Sequence, residues 1–362
     1  MTLLRTLAGT LCLCGALFAF TSLAAEPIWG VNHVHLGWLE PAARQNAIDA
    51  MAAAGVRSVR VDLLPPHDAT VDALDRLAQR GIRAALVISL AAPALVAADA
   101  TPRPGRGVIH TVAALSQLNP QHFRTAFGAI LAAIERRGIR LAAFELGNEI
   151  NWAAFNGDLA LLAPGGAPHP AAPKIAALAR PEIYREGLRR YVATLRVLRD
   201  LRDASMVNRA TPIVSAGLAE MPVTFAAAVG AEFVDGTETL DVLRQFGLDE
   251  AVDGYGVHAY PERDSDAAGR ARDFDRLTAL CRRAKPCWIT EWGIAEPADA
   301  CPVDESRRLP LIAETIARFA RSAAEGRLSG AYYYDWEGEK PYAIWRCGGL
   351  TASGRLVLGV GR

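Results

Sequence analysis

The stretch from Leu141 to Trp152, LAAFELGNEINW, decides the fold: an apolar run stops abruptly at Gly147 and gives way to Asn148 and Glu149. A short apolar segment that ends this way reads as a buried parallel strand surfacing at its C-terminal end, with a carboxylate at its tip. One comparable arrangement lies downstream, where Cys287 to Thr290 (CWIT) run into Glu291, Trp292 and Gly293. Either glutamate alone would pass for a solvated residue after a strand. Two buried strands that both end in Glu, each with an aromatic alongside, point to one shared site.

Working outward, strand-like and helix-like segments alternate along the chain, the pattern of βα units around a parallel sheet. Strands are predicted near Ile28 to His35, Val56 to Leu63, Ile82 to Leu90, Arg140 to Leu146, Pro212 to Ala216, Val252 to His258, Trp288 to Thr290 and Gly330 to Asp335. Between them helices fit at Pro41 to Ala54, Thr70 to Arg80, Pro120 to Arg137, Pro181 to Asp203, Glu238 to Gln245, Ala267 to Arg283 and Glu305 to Glu325. The fold class is therefore α/β, a single-domain (β/α)8 TIM barrel. Beyond the eighth strand, Gly348, Gly349, Gly354, Gly359 and Gly361 disfavour a full closing helix, so the eighth helix is expected to be reduced or missing. Two long connections, Ala91 to Asn119 and Asn151 to Arg180, follow the third and fourth strands and so belong to the active face.

The first 25 residues read as a secretory signal peptide: Arg5 near the front, an apolar stretch from Leu11 to Phe20 and small residues at Ser22-Leu23-Ala24-Ala25, with cleavage after Ala24 or Ala25. Residues 26 to 362 then form the barrel domain, secreted or periplasmic and free of the membrane. Cys281, Cys287, Cys301 and Cys347 form an even set in an exported chain, which favours disulfides. Of the three possible pairings, Cys281 with Cys287 and Cys301 with Cys347 are preferred. No Cys-x-x-Cys spacing supports zinc. With 39 basic and 39 acidic side chains and no basic run, the chain lacks the electrostatic footprint of a nucleic-acid or anionic-membrane binder. A neutral partner and a monomer are expected.

Catalytic groups in such barrels come from the C-terminal ends of several strands. Besides Glu149 and Glu291, these ends supply Asn32, His33 and His35, then Arg60 and Asp62, then His258 and Tyr260, then Asp335 and Trp336. Trp152, Trp292 and Trp336 stand beside them. Hydrogen-bonding groups for hydroxyls together with aromatic faces for the C–H side of a ring suit a sugar.

At these residues the sequence resembles clan A of the glycoside hydrolases. The carriers are Gly147-Asn148-Glu149, His258-Ala259-Tyr260, Thr290-Glu291-Trp292-Gly293 and the aromatic end of the eighth strand at Trp336. The resemblance, closest to the cellulase-like families five and thirty-nine, covers nearly the whole chain after the signal. It implies a retaining hydrolase of β-glycosidic bonds in an oligo- or polysaccharide, with Glu149 as acid/base and Glu291 as nucleophile. It also implies Asn148 at the substrate 2-hydroxyl and Tyr260 hydrogen-bonded to Glu291. By the same resemblance His258, Arg60 and Trp336 would complete the subsite of the cleaved sugar, and the strand-end reading adds Asn32, His35, Trp152 and Trp292 to the substrate-binding set. The His pair of many family-five members is absent, Ser89-Leu90-Ala91-Ala92 standing in its place. No cofactor and no metal is expected.

One carboxyl must hold a proton for the leaving oxygen while the other stays ionised to attack the anomeric carbon. Arg60 and a Tyr260 hydroxyl would keep Glu291 charged, and the charge of Glu291 would raise the pKa of Glu149. A rival is a metal-dependent, amidohydrolase-like barrel using His33, His35, His258 and Asp335. It lacks a lysine or carboxylated ligand after strand four and a histidine after strand five, where Asn148-Glu149 and Ser215-Ala216-Gly217 stand. A second rival, a barrel that only binds glycans, fits poorly with both glutamates being present.

Overall fold

The computed structural model of the chain describes residues 27–105, 111–162, 173–220, 228–261, 266–281, 285–296, 300–338 and 341–359. The expected signal peptide, parts of both long connections and the expected end of the sixth helix at Arg283 lie outside these residues. The elements run β1 (Ile28–Asn32), α1 (Pro41–Ala53), β2 (Ser58–Leu63), α2 (His67–Gln79), β3 (Arg83–Ile88), α3 (Pro120–Arg136) and β4 (Ala143–Asn148). They continue with α4 (Pro181–Ala204), β5 (Ile213–Gly217), α5 (Gly236–Gln245), β6 (Tyr255–Ala259), α6 (Ala267–Cys281), β7 (Cys287–Trp292), α7 (Arg308–Ala324), β8 (Leu328–Tyr333) and α8 (Ala352–Leu358).

The eight strands form one parallel sheet in the order β5-β4-β3-β2-β1-β8-β7-β6. Parallel bridges between Val214 and Gly254 and between Leu218 and Val257 join its two edges, so the barrel is nearly closed. The predicted alternation is therefore a TIM barrel, with a last helix reduced to seven residues. Thr351 caps that helix by accepting from the Gly354 N–H, and Gly359 ends it in the left-handed region at φ 68°.

Packing outside the barrel fixes the strands that carry the site. On α3, Asn119 caps the first turn by accepting from the N–H groups of Gln121 and His122. The helix buries Phe123, Phe127, Leu131 and Ile134, a stripe at helical spacing. Phe127 meets Phe144 of β4 edge-on at 6.2 Å. On α4, the buried Tyr191 hydroxyl donates to the Leu146 carbonyl at 2.8 Å and accepts from the Ala216 N–H at 2.8 Å. It braces the ends of β4 and β5 against each other.

Both disulfides pair as preferred. Cys281–Cys287 ties the end of α6 to the start of β7 with 4.9 Å between Cα atoms, and Cys301–Cys347 ties the connection after β7 to the one after β8 at 5.8 Å. Among the described residues no helix is long and apolar enough to cross a membrane.

Candidate active site

Inward-facing residues follow the two-residue strand period and build the barrel in tiers. The lowest is apolar: Ala85, Ala143, Val214, Trp288 and Tyr332 form their own cluster. Gly330 admits the Trp288 ring, since a Cβ there would lie 2.6 Å from it. The next tier is ionic. Arg60 of β2 and Glu145 of β4 are 0% and 1% exposed, joined by a bidentate pair at 2.7 and 3.0 Å. The remaining guanidinium hydrogens go to Asn32 Oδ1 at 3.0 Å, Asn148 Oδ1 at 2.7 Å and Glu291 Oε1 at 2.7 Å. Thus Arg60 uses all five N–H donors and joins four strands under the mouth.

Glu291 reaches the mouth because β7 breaks its alternation. Against β6, Val257 pairs with Ile289 and then His258 pairs with Glu291; against β8, Ala331 pairs with Ile289 and then Tyr333 with Trp292. The extra residue is a β-bulge at Thr290–Glu291, and it turns the Glu291 side chain inward. There Oε2 accepts from the Tyr260 hydroxyl at 2.6 Å, while Oε1 accepts from Arg60.

Glu149 sits just past β4 with φ 41°, a left-handed conformation uncommon for a residue with a side chain. Its N–H donates to the Gly217 carbonyl at 2.9 Å, which holds that conformation. The carboxylate lies 2.8 Å from His258 Nδ1. His258 in turn needs glycine at 217, where a Cβ would come within 2.1 Å of its Nε2. One carboxylate oxygen of Glu149, one of Glu291 and a ring nitrogen of His258 all lie within 4.8 Å of one another.

The two carboxyls sit in opposite electrostatic settings. Burial is the strongest influence on Glu149 and raises its pKa; the charge of Glu291 adds to the rise, and His258 and Arg60 oppose it without cancelling it. Burial pushes Glu291 upward too, but the charges of His258 and Arg60 and the hydrogen bonds from Tyr260 and Arg60 outweigh it and hold its pKa below the usual value. Burial lowers the His258 pKa, and the charge of Glu291 with the bond and charge of Glu149 more than reverse this. Glu149 is thus poised to keep a proton and Glu291 to stay ionised.

Several expected site residues are placed otherwise. Asn32 is fully buried and spent on scaffolding: Oδ1 accepts from Arg60, and Nδ2 donates to the carbonyls of Thr290 and Tyr332 at 3.0 and 3.2 Å. Trp292 is 1% exposed because the bulge that turns Glu291 inward turns Trp292 outward, edge-on to Phe319 of α7 and Tyr333. Trp336 is 0% exposed and stacks on Trp345 at 5.1 Å. Neither indole face is open to a sugar; of the three tryptophans only Trp152 is half-buried. The aromatic at the end of β8 facing the site is Tyr334, 6.1 Å from Tyr260 and 5.8 Å from Tyr342. His35 stacks on Trp38 at 4.9 Å. Asn148 is half-buried, with its oxygen on Arg60 and its Nδ2 without a partner among the described residues.

The metal rival's set does not assemble. His33 Nε2 meets Glu337 at 3.2 Å, His35 lies on Trp38, and the one group among the described residues with the spacing to hold a cation is Glu149, His258 and Glu291. That group shares only His258 with the expected His33, His35, His258 and Asp335.

Glu145 was missed by the sequence reading. Its signal was a carboxylate inside the apolar strand, in phase with the inward Ala143. A cavity of about 300 Å³ between α6, α7 and β6 touches the site only through His258 and Tyr260, so it lies behind the mouth.

No family model and no curated protein matches the chain in sequence. Solved structures do match it. The β-glycosidase BGL167 is similar with TM-score 0.55 at 14% identity, over 92% of this chain and 95% of that one. The fold is shared with glycoside hydrolase barrels. The virulence factor SghA of Agrobacterium tumefaciens, also solved with its substrate analogue salicin, is similar at TM-score 0.53 and 13% identity, over 92% and 96% of the two chains. Fungal β-1,4-galactanases are similar at TM-score 0.51 and 14% identity, over 92% and 94%.

Proposed function

We propose that the protein is an exported glycoside hydrolase that cleaves β-glycosidic bonds of an oligo- or polysaccharide with retention of configuration. The observation that carries the reading is the pair Glu149 and Glu291, with oxygens within 4.8 Å and pKa values driven in opposite directions. Retaining enzymes hold their carboxyls about 5–5.5 Å apart, whereas inverting enzymes leave about 6.5–9.5 Å to admit water.

In the first step Glu291 Oε attacks the anomeric carbon while the Glu149 carboxyl gives its proton to the departing glycosidic oxygen. Arg60 and Tyr260 hold Glu291 in its ionised form and aim it. As the glycosyl–Glu291 ester forms, the negative charge of Glu291 is lost, so the Glu149 pKa falls and Glu149 becomes a base. In the second step it takes a proton from the water that attacks the ester. Asn148, anchored by Arg60, has its amide nitrogen free to donate to the 2-hydroxyl. The two disulfides support export, since such bonds persist in oxidising compartments.

The test is NMR of the first-formed sugar anomer from an aryl β-glycoside. A β product is expected; an α product would make Glu291 a base acting on water and end the double-displacement reading. Glu291→Ala should abolish turnover of every substrate. Glu149→Ala should spare glycosylation from dinitrophenyl glycosides, whose leaving group needs no proton, and accumulate the ester on Glu291.

A further inference from the structure

Asp62 stands on β2 two residues beyond Arg60, in phase with the inward-facing Ser58 and Arg60, and so lies one tier above the guanidinium at the barrel mouth. The other acids of the site are all engaged. Glu145 accepts from Arg60 and from the Gly217 N–H, Glu291 from Arg60 and Tyr260, and Glu149 pairs with His258. The Asp62 carboxyl accepts no hydrogen bond among the described residues, although its Oδ1 is shut off from solvent. Shielded acceptors are rarely left unpaired in folded proteins, and the exceptions ask for an explanation such as a functional role. Burial pushes the Asp62 pKa up to about 7; Arg60 opposes this, and the charges of Glu291 and Glu145 add to it. Near neutral pH the group can therefore both donate and accept. Nothing in a two-glutamate displacement uses it.

The line from Glu149 past β4 to Glu291 on β7 divides the mouth. By the strand order, β5 and β6 with His258 and Tyr260 lie on one side, and β3, β2, β1 and β8 on the other. A sugar with its anomeric carbon between the glutamates would turn hydroxyls toward both sides, and on the second side the Asp62 carboxyl is unengaged among the described residues. We propose that Asp62 determines specificity: its two oxygens bind adjacent hydroxyls of the sugar whose anomeric carbon Glu291 attacks. The inference rests on the glycosidase reading and deepens it. A carboxyl has acceptor sites for two hydroxyl donors at once, so an inverted hydroxyl would forfeit one of them.

The experiment compares wild type, Asp62→Asn and Asp62→Ala on 4-nitrophenyl β-glycosides of D-glucose, D-galactose, D-mannose and D-xylose and of their β-1,4-linked oligosaccharides. For the preferred sugar, Asp62→Ala should lower kcat/KM about a hundredfold. The ratio between that sugar and its epimers should shrink at least tenfold, and Asp62→Asn should fall between. Melting temperatures of both variants should equal or exceed that of wild type, because an unpaired buried acceptor is removed or neutralised. A loss shared equally by every glycoside, or no loss, overturns the proposal and leaves the glycosidase reading in place. A wild-type protein that neither hydrolyses nor binds any member of the panel overturns both.

Discussion

Replacing Arg60 with Lys tests whether one guanidinium holds the site together. Arg60 is 0% exposed and donates five hydrogen bonds: two to Glu145 and one each to Asn32, Asn148 and Glu291. Lysine offers three donors from a single atom, so at least two of the five bonds are lost, and the ammonium cannot span Glu145 and Asn148 on β4, Asn32 on β1 and Glu291 on β7. Hydrogen bonds to charged groups are each worth about 1.5–3 kcal/mol. Two such bonds amount to about 3–6 kcal/mol, which spans the usual cost of breaking a buried ion pair. Unfolding entropy of about 2.1 cal/mol/K per residue makes roughly 0.8 kcal/mol/K for a chain of 362 residues. The melting temperature should then fall by about 4–8 °C in scanning calorimetry. Glu291 loses a partner that keeps it ionised and Asn148 its anchor, so kcat/KM on the preferred aryl glycoside should drop at least about tenfold. A variant that melts within a degree of wild type, or turns over at the same rate, would refute the role assigned to Arg60.

Activity should follow a bell-shaped pH profile, because the working form has Glu291 ionised and Glu149 protonated; the acid limb belongs to the lowered pKa and the basic limb to the raised one. Glu149→Gln should remove the basic limb for substrates with activated leaving groups. The same variant reports on stability. A raised folded-state pKa gives stability that is fully present below the unfolded value, about 4.3, and is lost as pH rises through the folded value. Glu149→Gln should thus melt like wild type in the acid range and above wild type at neutral and alkaline pH; the reverse order would refute the sign. Strong chelator should leave activity unchanged, and loss with recovery on adding zinc would bring Glu149, His258 and Glu291 together as a metal site. Titration under denaturing, non-reducing conditions should find no free thiol at Cys281, Cys287, Cys301 and Cys347, where both bonds are closed.

How much of this was legible depended on whether a feature obeys the period of its element. The barrel was readable because apolar strands and amphipathic helices alternate, and Glu149 and Glu291 because each ends an apolar run. The cysteine pairing followed from position along the βα order. The tryptophans were misplaced where the period breaks: one extra residue in β7 reverses the facing of Trp292, and Trp336 lies beyond β8, where the chain leaves the wall and packs on Trp345. Asn32 reads as a polar group at a strand tip, yet Arg60 and two carbonyls claim it entirely, and such claims join residues far apart in the chain. Glu145 was hidden for the same reason, its partner Arg60 standing on another strand.

The bulge at Thr290–Glu291 makes chain length, and not residue type, the quantity on which the inward direction of Glu291 depends. Threaded in plain alternation, without the bulge, the same residues would place Glu291 on the helix layer against Phe319 and bring the Trp292 indole into the mouth. Read in the other direction, a plain barrel strand gains an inward acid beside an outward aromatic through a single codon inserted near its end. Insertions, which strands ordinarily resist, are at this one position what brings a second carboxylate beside Glu149.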